Sequence, residues 1–165
     1  MKKFELTSET KINIFGKKLF RIKALVSFGV VKTGETGGWV EKEENVNQSG
    51  DAWVFGNAEV FGNARVSGDA EVFGNARVSG DARVFGNAEV SGNADYTTIH
   101  GFGTQFRTTT FFRCKDKQVK VSCGCFYGTI PEFREQVKNT RDGKIAEEYL
   151  MIADLMEKHF AEEAK

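Results

Sequence analysis

Hydrophobic and polar positions follow a six-residue pattern through the middle of the chain. From Gly50 the sequence reads GDAWVF, GNAEVF, GNARVS, GDAEVF, GNARVS, GDARVF, GNAEVS and GNADYT, and the last hexad closes at Thr97. An Ala and, in most hexads, a Val stand two residues apart, so they point to the same side of an extended strand. Gly followed by Asn or Asp fits a corner, because these residues tolerate a positive φ. The pattern predicts short strands joined by identical corners.

Hexad arrays of this kind resemble the left-handed parallel β-helix, in which three hexads form one triangular coil. Two looser hexads precede the array in the same phase, over residues 38–49. Stacked coils bury the column of Ala and Val, but a stack of about three coils leaves unpaired backbone groups at both ends. We therefore expect a mainly β protein, a short left-handed parallel β-helix with a cap at each end.

The segment before the repeat predicts the first cap. Residues 12–15 and 19–25 have the composition of short strands, and Gly-Lys-Lys between them fits a hairpin turn. The predicted divisions of the chain are an N-terminal strand cap at 1–37, the repeat at 38–97 and a C-terminal ββαα module at 98–165.

The segment after the repeat predicts the second cap. Residues 106–113 and 118–127 are rich in Thr, Phe and Val, which favours an antiparallel pair of strands. Thr129, with Glu three residues later and Pro between them, has the pattern of a helix N-terminus. A second helix is predicted from about Lys144 to Glu162, because its apolar residues recur at helical spacing.

Folding the repeat by three hexads places three large aromatics, Trp53, Phe55 and Phe73, on adjacent coils of a first face. An exposed aromatic patch of that kind indicates a contact surface. Proteins of this fold class are commonly trimers, so we assign these three residues to a subunit interface in a homo-oligomer, most simply a trimer. The seat of the C-terminal segment is the alternative for the same face.

The other two faces differ in charge. The second face stacks Glu59, Arg77 and Asp95 in alternating sign, which suits a solvated ladder. The third face stacks Arg65 on Arg83. Like charges one coil apart are unfavourable unless an anion lies between them, so this face is either an anion site or a pair of arginines that splay into solvent.

Composition restricts the possible partners. The 165 residues include 23 Lys and Arg against 23 Asp and Glu, which argues against a generally basic nucleic-acid binder. No run of about 18 apolar residues is present, and the N-terminus lacks the apolar core of a secretory signal. Three cysteines cannot form a closed disulfide framework. We expect a cytoplasmic protein, with neither a membrane nor a long nucleic acid as partner.

The zero net charge hides one basic segment. Residues 100–120 hold five basic side chains and one acidic one, a formal +4, interleaved with Phe and Thr. Arginine forks bind phosphate, and aromatic faces stack bases. A solvated basic hairpin whose aromatics simply cap the coil is the alternative. The residues predicted to bind an anionic, nucleotide-like small molecule are Arg107, Thr109, Phe111, Arg113, Tyr127, Arg65 and Arg83.

An enzymatic role depends on histidine. Acyltransferases of this fold class use a His as general base, and the chain contains only His100 and His159. His159 falls near the end of a predicted helix, where the helix dipole favours it. His100 directly follows the last hexad and is the catalytic residue under the acyltransferase alternative.

The three cysteines do not predict a metal site. Cys123 and Cys125 are separated by one residue, whereas structural zinc sites prefer two to four residues between paired ligands. Zinc held with Cys114 and His100 remains an alternative, but we expect reduced thiols that pack as small apolar groups. No metal or cofactor is expected.

The whole chain resembles a largely uncharacterised family of hexapeptide-repeat proteins found in bacterial and phage genomes. The marks are LFRIKALVSFGVVKTGETGGWVEKEEN before the repeat and TTTFFRCKD, VSCGCFYGT and EF after it. The resemblance implies the fold more than the function, and it implies that the protein acts in a bacterial cell or a phage-infected host cell. By analogy with compact oligomeric phage proteins that sequester nucleotide signals of bacterial immunity, we expect a non-catalytic oligomeric binding protein. A purely structural scaffold is a further alternative.

Overall fold

The computed structural model describes residues 1–161. It confirms that the chain is mainly β with two C-terminal helices. The strands are β1 (Phe4–Ile12), β2 (Lys18–Ala24), β3 (Thr36–Val40), β4 (Trp53–Val54), β5 (Glu59–Val60), β6 (Arg65–Val66), β7 (Glu71–Val72), β8 (Arg77–Val78), β9 (Arg83–Val84), β10 (Glu89–Val90), β11 (Tyr96–Phe102), β12 (Arg107–Arg113), β13 (Val119–Cys123) and β14 (Phe126–Thr129). The helices are α1 (Ile130–Thr140) and α2 (Gly143–Phe160).

The repeat forms three ladders of parallel strands. From residue 50 on, the paired strands lie three hexads apart, as a turn of three hexads requires. The looser hexads at 38–49 are not in the same phase as predicted, because Trp39 pairs with Glu59 and Val46 with Val66, each 20 residues on. The first face is β4, β7 and β10, the second is β3, β5 and β8, and the third is β6 and β9. The hexad Ala and Val side chains form one buried column between the faces. We call this stack the coil.

The corners of the coil need glycine. From Gly50 to Gly86 each hexad glycine has a φ between 56° and 74°, the left-handed region that other residues rarely adopt. Successive corners also stack closely, since a Cβ added at Gly68 would lie 2.9 Å from the backbone nitrogen of Gly86. Backbone conformation and crowding therefore explain the periodic glycine.

Side-chain donors close the upper end of the coil. Within the stack, backbone N–H groups donate to the Gly and Ala carbonyls of the coil below. At the top, the buried Lys3 Nζ lies 3.2 and 2.8 Å from the carbonyl oxygens of Gly50 and Ala52. Asn45 Nδ2 lies 3.2 and 2.8 Å from the carbonyl oxygens of Gly62 and Ala64. These two residues supply the hydrogen bonds that a further coil would have made.

The N-terminal segment covers Trp53 on the first face, which corrects the assignment of this residue to a subunit interface. Trp53 is 1% exposed, and its ring makes edge contacts with Phe4 and Phe28 at centroid distances of 5.9 and 5.2 Å. Residues of this chain, not of a partner, therefore bury the indole. Because Phe4 and Phe28 lie far from Trp53 in sequence, the repeat alone gave no sign of this packing.

The strand predicted at residues 12–15 is wrong, because most of it forms a turn. The antiparallel pair is β1 with β2, and β2 also pairs with β3. In the turn, Asn13 Oδ1 accepts hydrogen bonds at 3.0 Å from the backbone N–H groups of Phe15 and Lys17. An Asn side chain that bonds to the backbone ahead of it is a turn device. It ends β1 at Ile12.

The eighth hexad leaves the ladder, so Asp95 does not stack on Arg77 as predicted. Residues Asn93–Asp95 form a 3-10 turn, and Tyr96 begins the longer strand β11. Asp95 instead pairs with Arg113, with Oδ1 and Nε 3.3 Å apart. The Val of the other hexads is replaced by Tyr in this one, and its hydroxyl donates to the carbonyl of Arg77 at 2.5 Å.

The C-terminal module has four strands where two were predicted. Strands β11 to β14 form one antiparallel sheet in sequence order. The segment 118–127 divides at Gly124, which has a φ of 60° and turns β13 into β14. One face of the sheet packs on the coil through Phe112, and the other packs on α1 and α2 through Phe111.

The same module closes the lower end of the coil. Each ladder ends on a group beyond the repeat or on its last hexad, so no face leaves its final backbone groups wholly open. The three closing bonds are Arg77 N to Asn93 Oδ1 at 2.8 Å, Arg83 N to Thr110 Oγ1 at 3.1 Å and Lys115 N to Asn87 O at 3.0 Å.

The helix starts follow the sequence. Thr129 caps α1, with its Oγ1 accepting from the backbone N–H of Glu132 at 3.3 Å. Helix α2 ends at Phe160, and the predicted end at Glu162 lies outside the described residues. Neither of the two described helices is long and apolar enough to cross a membrane.

Candidate functional site

A cavity of about 640 Å³ lies between the third face of the coil and the coil-facing side of the C-terminal sheet. One wall contains Arg65 and Arg83 from strands β6 and β9. The facing wall contains His100, Arg107 and Thr108 from β11 and β12. Two of the predicted ligand-binding arginines of the coil and one of the sheet are thus brought together, although 24 residues separate Arg83 from Arg107.

Within residues 1–161, the three arginines of this cavity have no acidic partner. Arg65 and Arg83 are neighbours in the ladder of the third face. None of the ion pairs formed within residues 1–161 includes Arg65, Arg83 or Arg107. Their guanidinium groups therefore offer several N–H donors and three positive charges to whatever occupies the cavity.

The side chain of Arg107 packs beside a glycine. The guanidinium of Arg107 lies against the backbone of Gly124, so closely that any Cβ at residue 124 would collide with its Nη1 atom. Gly124 is also the residue whose positive φ turns β13 into β14. The turn thus leaves room for the arginine to reach the cavity.

A hydrogen-bonded column runs beside the two coil arginines. Lys42 Nζ donates to Asn63 Oδ1 at 3.2 Å, and Asn63 Nδ2 donates to Asp81 Oδ1 at 3.2 Å. These residues were missed in the sequence. Asn63 and Asp81 occupy the same corner position of hexads that lie one full turn of the coil apart. Extending the three-hexad folding from the outward strand positions to the corners would therefore have placed them next to Arg65 and Arg83.

The cavity has a net positive charge. It contains four cationic side chains, Lys42 and the three arginines, and two carboxylates, Glu44 and Asp81. With His100 neutral the sum is +2, from four minus two. A concave site with walls of one dominant sign concentrates its field on a bound ion. The arrangement is suited to an anion that also makes neutral hydrogen bonds.

His100 lies in the same cavity. Its Nδ1 is 3.0 Å from Thr108 Oγ1, a contact between adjacent strands β11 and β12. The side chain that the acyltransferase alternative requires is therefore next to the arginines. His159 lies on α2 and is exposed.

Three other predicted ligand-binding residues lie outside the cavity, because they are on the side of β12 that faces the helices. Thr109 is 1% exposed, and its hydroxyl donates to Cys123 Sγ at 3.2 Å. Phe111 is fully buried beneath the helices, in edge contact with Phe133. Arg113 is engaged within the chain by Asp95 and by the carbonyl of Phe160 at 2.9 Å. These three side chains stabilise the module and do not line the cavity.

Tyr127 also packs within the chain. Its ring lies 4.6 Å from that of Phe85 on the coil and 6.4 Å from that of Phe112 on the sheet. The three rings join the coil to the C-terminal sheet, although Tyr127 keeps 37% of its surface exposed. The two remaining aromatics of the first face, Phe55 and Phe73, are half-buried. Their assignment to a subunit interface stays a prediction.

The cysteines face different sides of the module. Cys114 is buried in the coil core, where burial raises the pKa of its thiol to about 11. Cys123 packs toward the helices, and Cys125 is exposed. Within residues 1–161 no group of three or more His, Cys, Asp or Glu side chains is arranged to hold a metal ion.

Comparison with known proteins leaves the family open. A scan against models of protein families finds no match for this sequence, and none of the curated proteins matches it. The resemblance to bacterial and phage hexapeptide-repeat proteins stays a prediction. The geometry of the cavity therefore carries the functional inference.

Proposed function

We propose that the protein is a non-catalytic binding protein for an anionic small molecule, held in the cavity between the coil and the C-terminal sheet. The observation that carries the proposal is that Arg65, Arg83 and Arg107 meet there from two facing walls without an acidic partner among residues 1–161. Elsewhere Arg77 and Arg113 each pair with a carboxylate of the chain.

Electrostatics explains why such a site favours an anion. Neighbouring guanidinium groups repel one another, and an anion between them removes the repulsion and accepts their N–H donors. Hydrogen bonds to charged groups contribute about 1.5–3 kcal/mol each. Because the arginines come from both walls, one ligand would contact the coil and the C-terminal sheet together and would stabilise their packing.

The size of the cavity restricts the ligand class. About 640 Å³ lies within the range of about 300–1,000 Å³ that is typical of small-molecule sites. It exceeds the volume that inorganic phosphate needs and is small for a long nucleic acid. A nucleotide-like ligand fits this volume and charge, and the predicted role is sequestration of such a molecule in the cytoplasm, as in phage proteins that bind immune nucleotide signals.

The proposal includes the finer architecture predicted from the hexads. A left-handed parallel β-helix is supported by the pairing of β4 with β7, β5 with β8, β6 with β9 and β7 with β10, each three hexads apart, and by the repeated glycine corners. The proposal also keeps the homotrimer that was predicted from Phe55 and Phe73, which are half-buried on the first face. Native mass spectrometry of protein purified from cells measures subunit number and any retained ligand together. A monomer would contradict the homotrimer, and the absence of a retained ligand would contradict the binding of a cellular ligand.

Titration calorimetry with a nucleoside diphosphate such as ADP tests the binding proposal. We expect R65Q, R83Q and R107Q each to weaken binding about tenfold or more, since each removes a charged donor. Arg141 is exposed and lies outside the cavity, so R141Q serves as the matched control and should bind normally. Equal affinity in all four variants would exclude the cavity as the site.

An acyltransferase-like enzyme is the second candidate, and the placement of His100 in the same cavity favours it. A general base must lie within hydrogen-bond reach of the proton that it removes. Incubating the protein with acetyl-CoA and small amine or hydroxyl acceptors, and measuring free thiol release, tests this role. Turnover that H100A abolishes while anion binding persists would favour the enzyme; no turnover in the wild type would exclude it for these substrates.

A further inference from the structure

We infer that the ligand of this cavity is a phosphorylated polyol, recognised through its phosphate and its hydroxyl groups and not through an aromatic base. The inference rests on the proposed function, because it concerns the same cavity. It names the part of the ligand that contacts each wall, and it predicts that the site tolerates changes of base.

The first support is the chemistry of the cavity walls. The residues that line it are charged, amide, hydroxyl or small, apart from the imidazole of His100, and none is Phe, Tyr or Trp. Stacking on aromatic rings is the sequence-tolerant way to hold a base. Phe106, in the turn before β12, is 65% exposed but does not line the cavity, and the rings on β12 and β14 are used elsewhere. Phe111 lies under the helices, Phe112 lies in the coil core, and Tyr127 packs on Phe85.

The second support is the presence of two carboxylates in a site built from arginines. Asn63 donates to Oδ1 of Asp81, and no ion pair within residues 1–161 includes Asp81 or Glu44. A carboxylate in the wall of an anion site repels the anion, and a ligand with hydrogen-bond donors of its own offsets that repulsion. Ionised carboxylates only accept hydrogen bonds. The ligand must therefore present neutral donors beside its phosphate, and adjacent sugar hydroxyls have that chemistry.

The phosphate and the polyol of such a ligand would contact different columns of the coil wall. Arg65 and Arg83 form one column, and Asn63 and Asp81 form the column beside it, two residues earlier in each hexad. A phosphate on the arginine column would place an attached polyol against the carboxylate of Asp81 and the amide of Asn63. On the facing wall, Thr108 and Ser122 add hydroxyl groups.

The repeat supplies a conservative test variant. Five of the eight hexads have Asn after Gly, and three have Asp, at residues 51, 69 and 81. D81N therefore keeps a residue that the corner already uses elsewhere, and it removes the charge. Asp69 occupies the same corner position but does not line the cavity, so D69N is the matched control.

The experiment measures affinity by calorimetry for inorganic phosphate, ribose 5-phosphate, ribose, AMP and CMP. In the wild type we expect ribose 5-phosphate to bind about tenfold more tightly than phosphate, because hydroxyl donors reach a carboxylate. AMP and CMP should bind within about threefold of each other, and ribose should not bind. D81N should bind phosphate at least as tightly as wild type but lose most of the tenfold preference, whereas D69N should keep it.

The contrary outcomes are distinct. Equal affinity for phosphate and ribose 5-phosphate, an unchanged preference in D81N, or more than tenfold discrimination between AMP and CMP would overturn the inference while the arginine site stands. If none of the phosphate probes binds, or if R83Q binds them all as the wild type does, the proposed function itself fails.

Discussion

The second and third faces of the coil use the same repeat position in opposite ways. On the second face Glu59 stands above Arg77, and Glu59 is held between Arg77 Nε and Lys11 Nζ, each at 3.1 Å. On the third face Arg65 stands above Arg83, and neither pairs with a carboxylate of the described chain. The two ladders have matching backbone pairing, so the difference lies in the choice of one side chain.

That difference indicates which face is structural and which is available to a ligand. Glu59 is 4% exposed and its charge is neutralised within the chain. The third face keeps its charge and borders the cavity with the C-terminal sheet. A repeat that can place Glu or Arg at the same position with little change in fold can assign one face to stability and another to recognition.

The largest expected effect comes from making the third face resemble the second. R65E places Glu above Arg83, the order found at Glu59 and Arg77. We expect anion affinity to fall about a hundredfold or more, because one donor is lost and a second is neutralised. The free energy of unfolding should stay within about 1 kcal/mol of wild type. Calorimetry and urea denaturation measure the two quantities.

N57D is the control for R65E, because it adds a negative charge at a corner that does not line the cavity. Asp already occupies this corner position in three hexads. Affinity in N57D should remain within about twofold of wild type. If R65E still binds the anion like wild type, the contrast between the two faces has no functional meaning.

A smaller effect comes from disrupting the second face. E59Q removes the carboxylate that joins Lys11 and Arg77, and we expect a loss of about 1–3 kcal/mol in the free energy of unfolding. E71Q is the control at the same repeat position, because Glu71 is more exposed and, within residues 1–161, forms an ion pair with Lys115 alone. Its loss should stay below about 1 kcal/mol. Equal losses in urea denaturation would contradict the assignment of the second face to stability.

The smallest effect concerns a buried cation at the top of the first face. Burial lowers the pKa of Lys3 from 10.5 to about 8. Between these values the unfolded chain keeps a proton that the folded chain has released, so stability rises with pH. Relative to K3M, the wild type should gain about 1 kcal/mol in its free energy of unfolding between pH 7.5 and 9.

Urea denaturation of the wild type and K3M at both pH values measures this gain. K23M, at an exposed lysine of β2, controls for general effects of pH and should follow the wild type. If the difference in the free energy of unfolding between wild type and K3M stays constant or shrinks as pH rises, the pKa of Lys3 is not lowered by burial.

The candidate site was predictable only where it lies on the repeat. Folding by three hexads places Arg65 beside Arg83, since the period fixes which strands are neighbours. The hairpin was harder, because alternation along β12 sorts side chains into two faces without showing what covers each. The helices cover Thr109 and Phe111, whereas Arg107, at the start of the strand beside Gly124, stays exposed and lines the cavity.

By itself the sequence determined the mainly β character, the corners and the start of α1, because each depends on local conformation or on a strict period. Tertiary structure alone decided the rest. Phe4 and Phe28 pack on Trp53, and the eighth hexad forms a 3-10 turn and the start of β11 in place of a further ladder strand. His100 and Arg107 lie opposite the third face. These contacts join segments far apart in sequence, and their positions depend on how both caps pack on the coil.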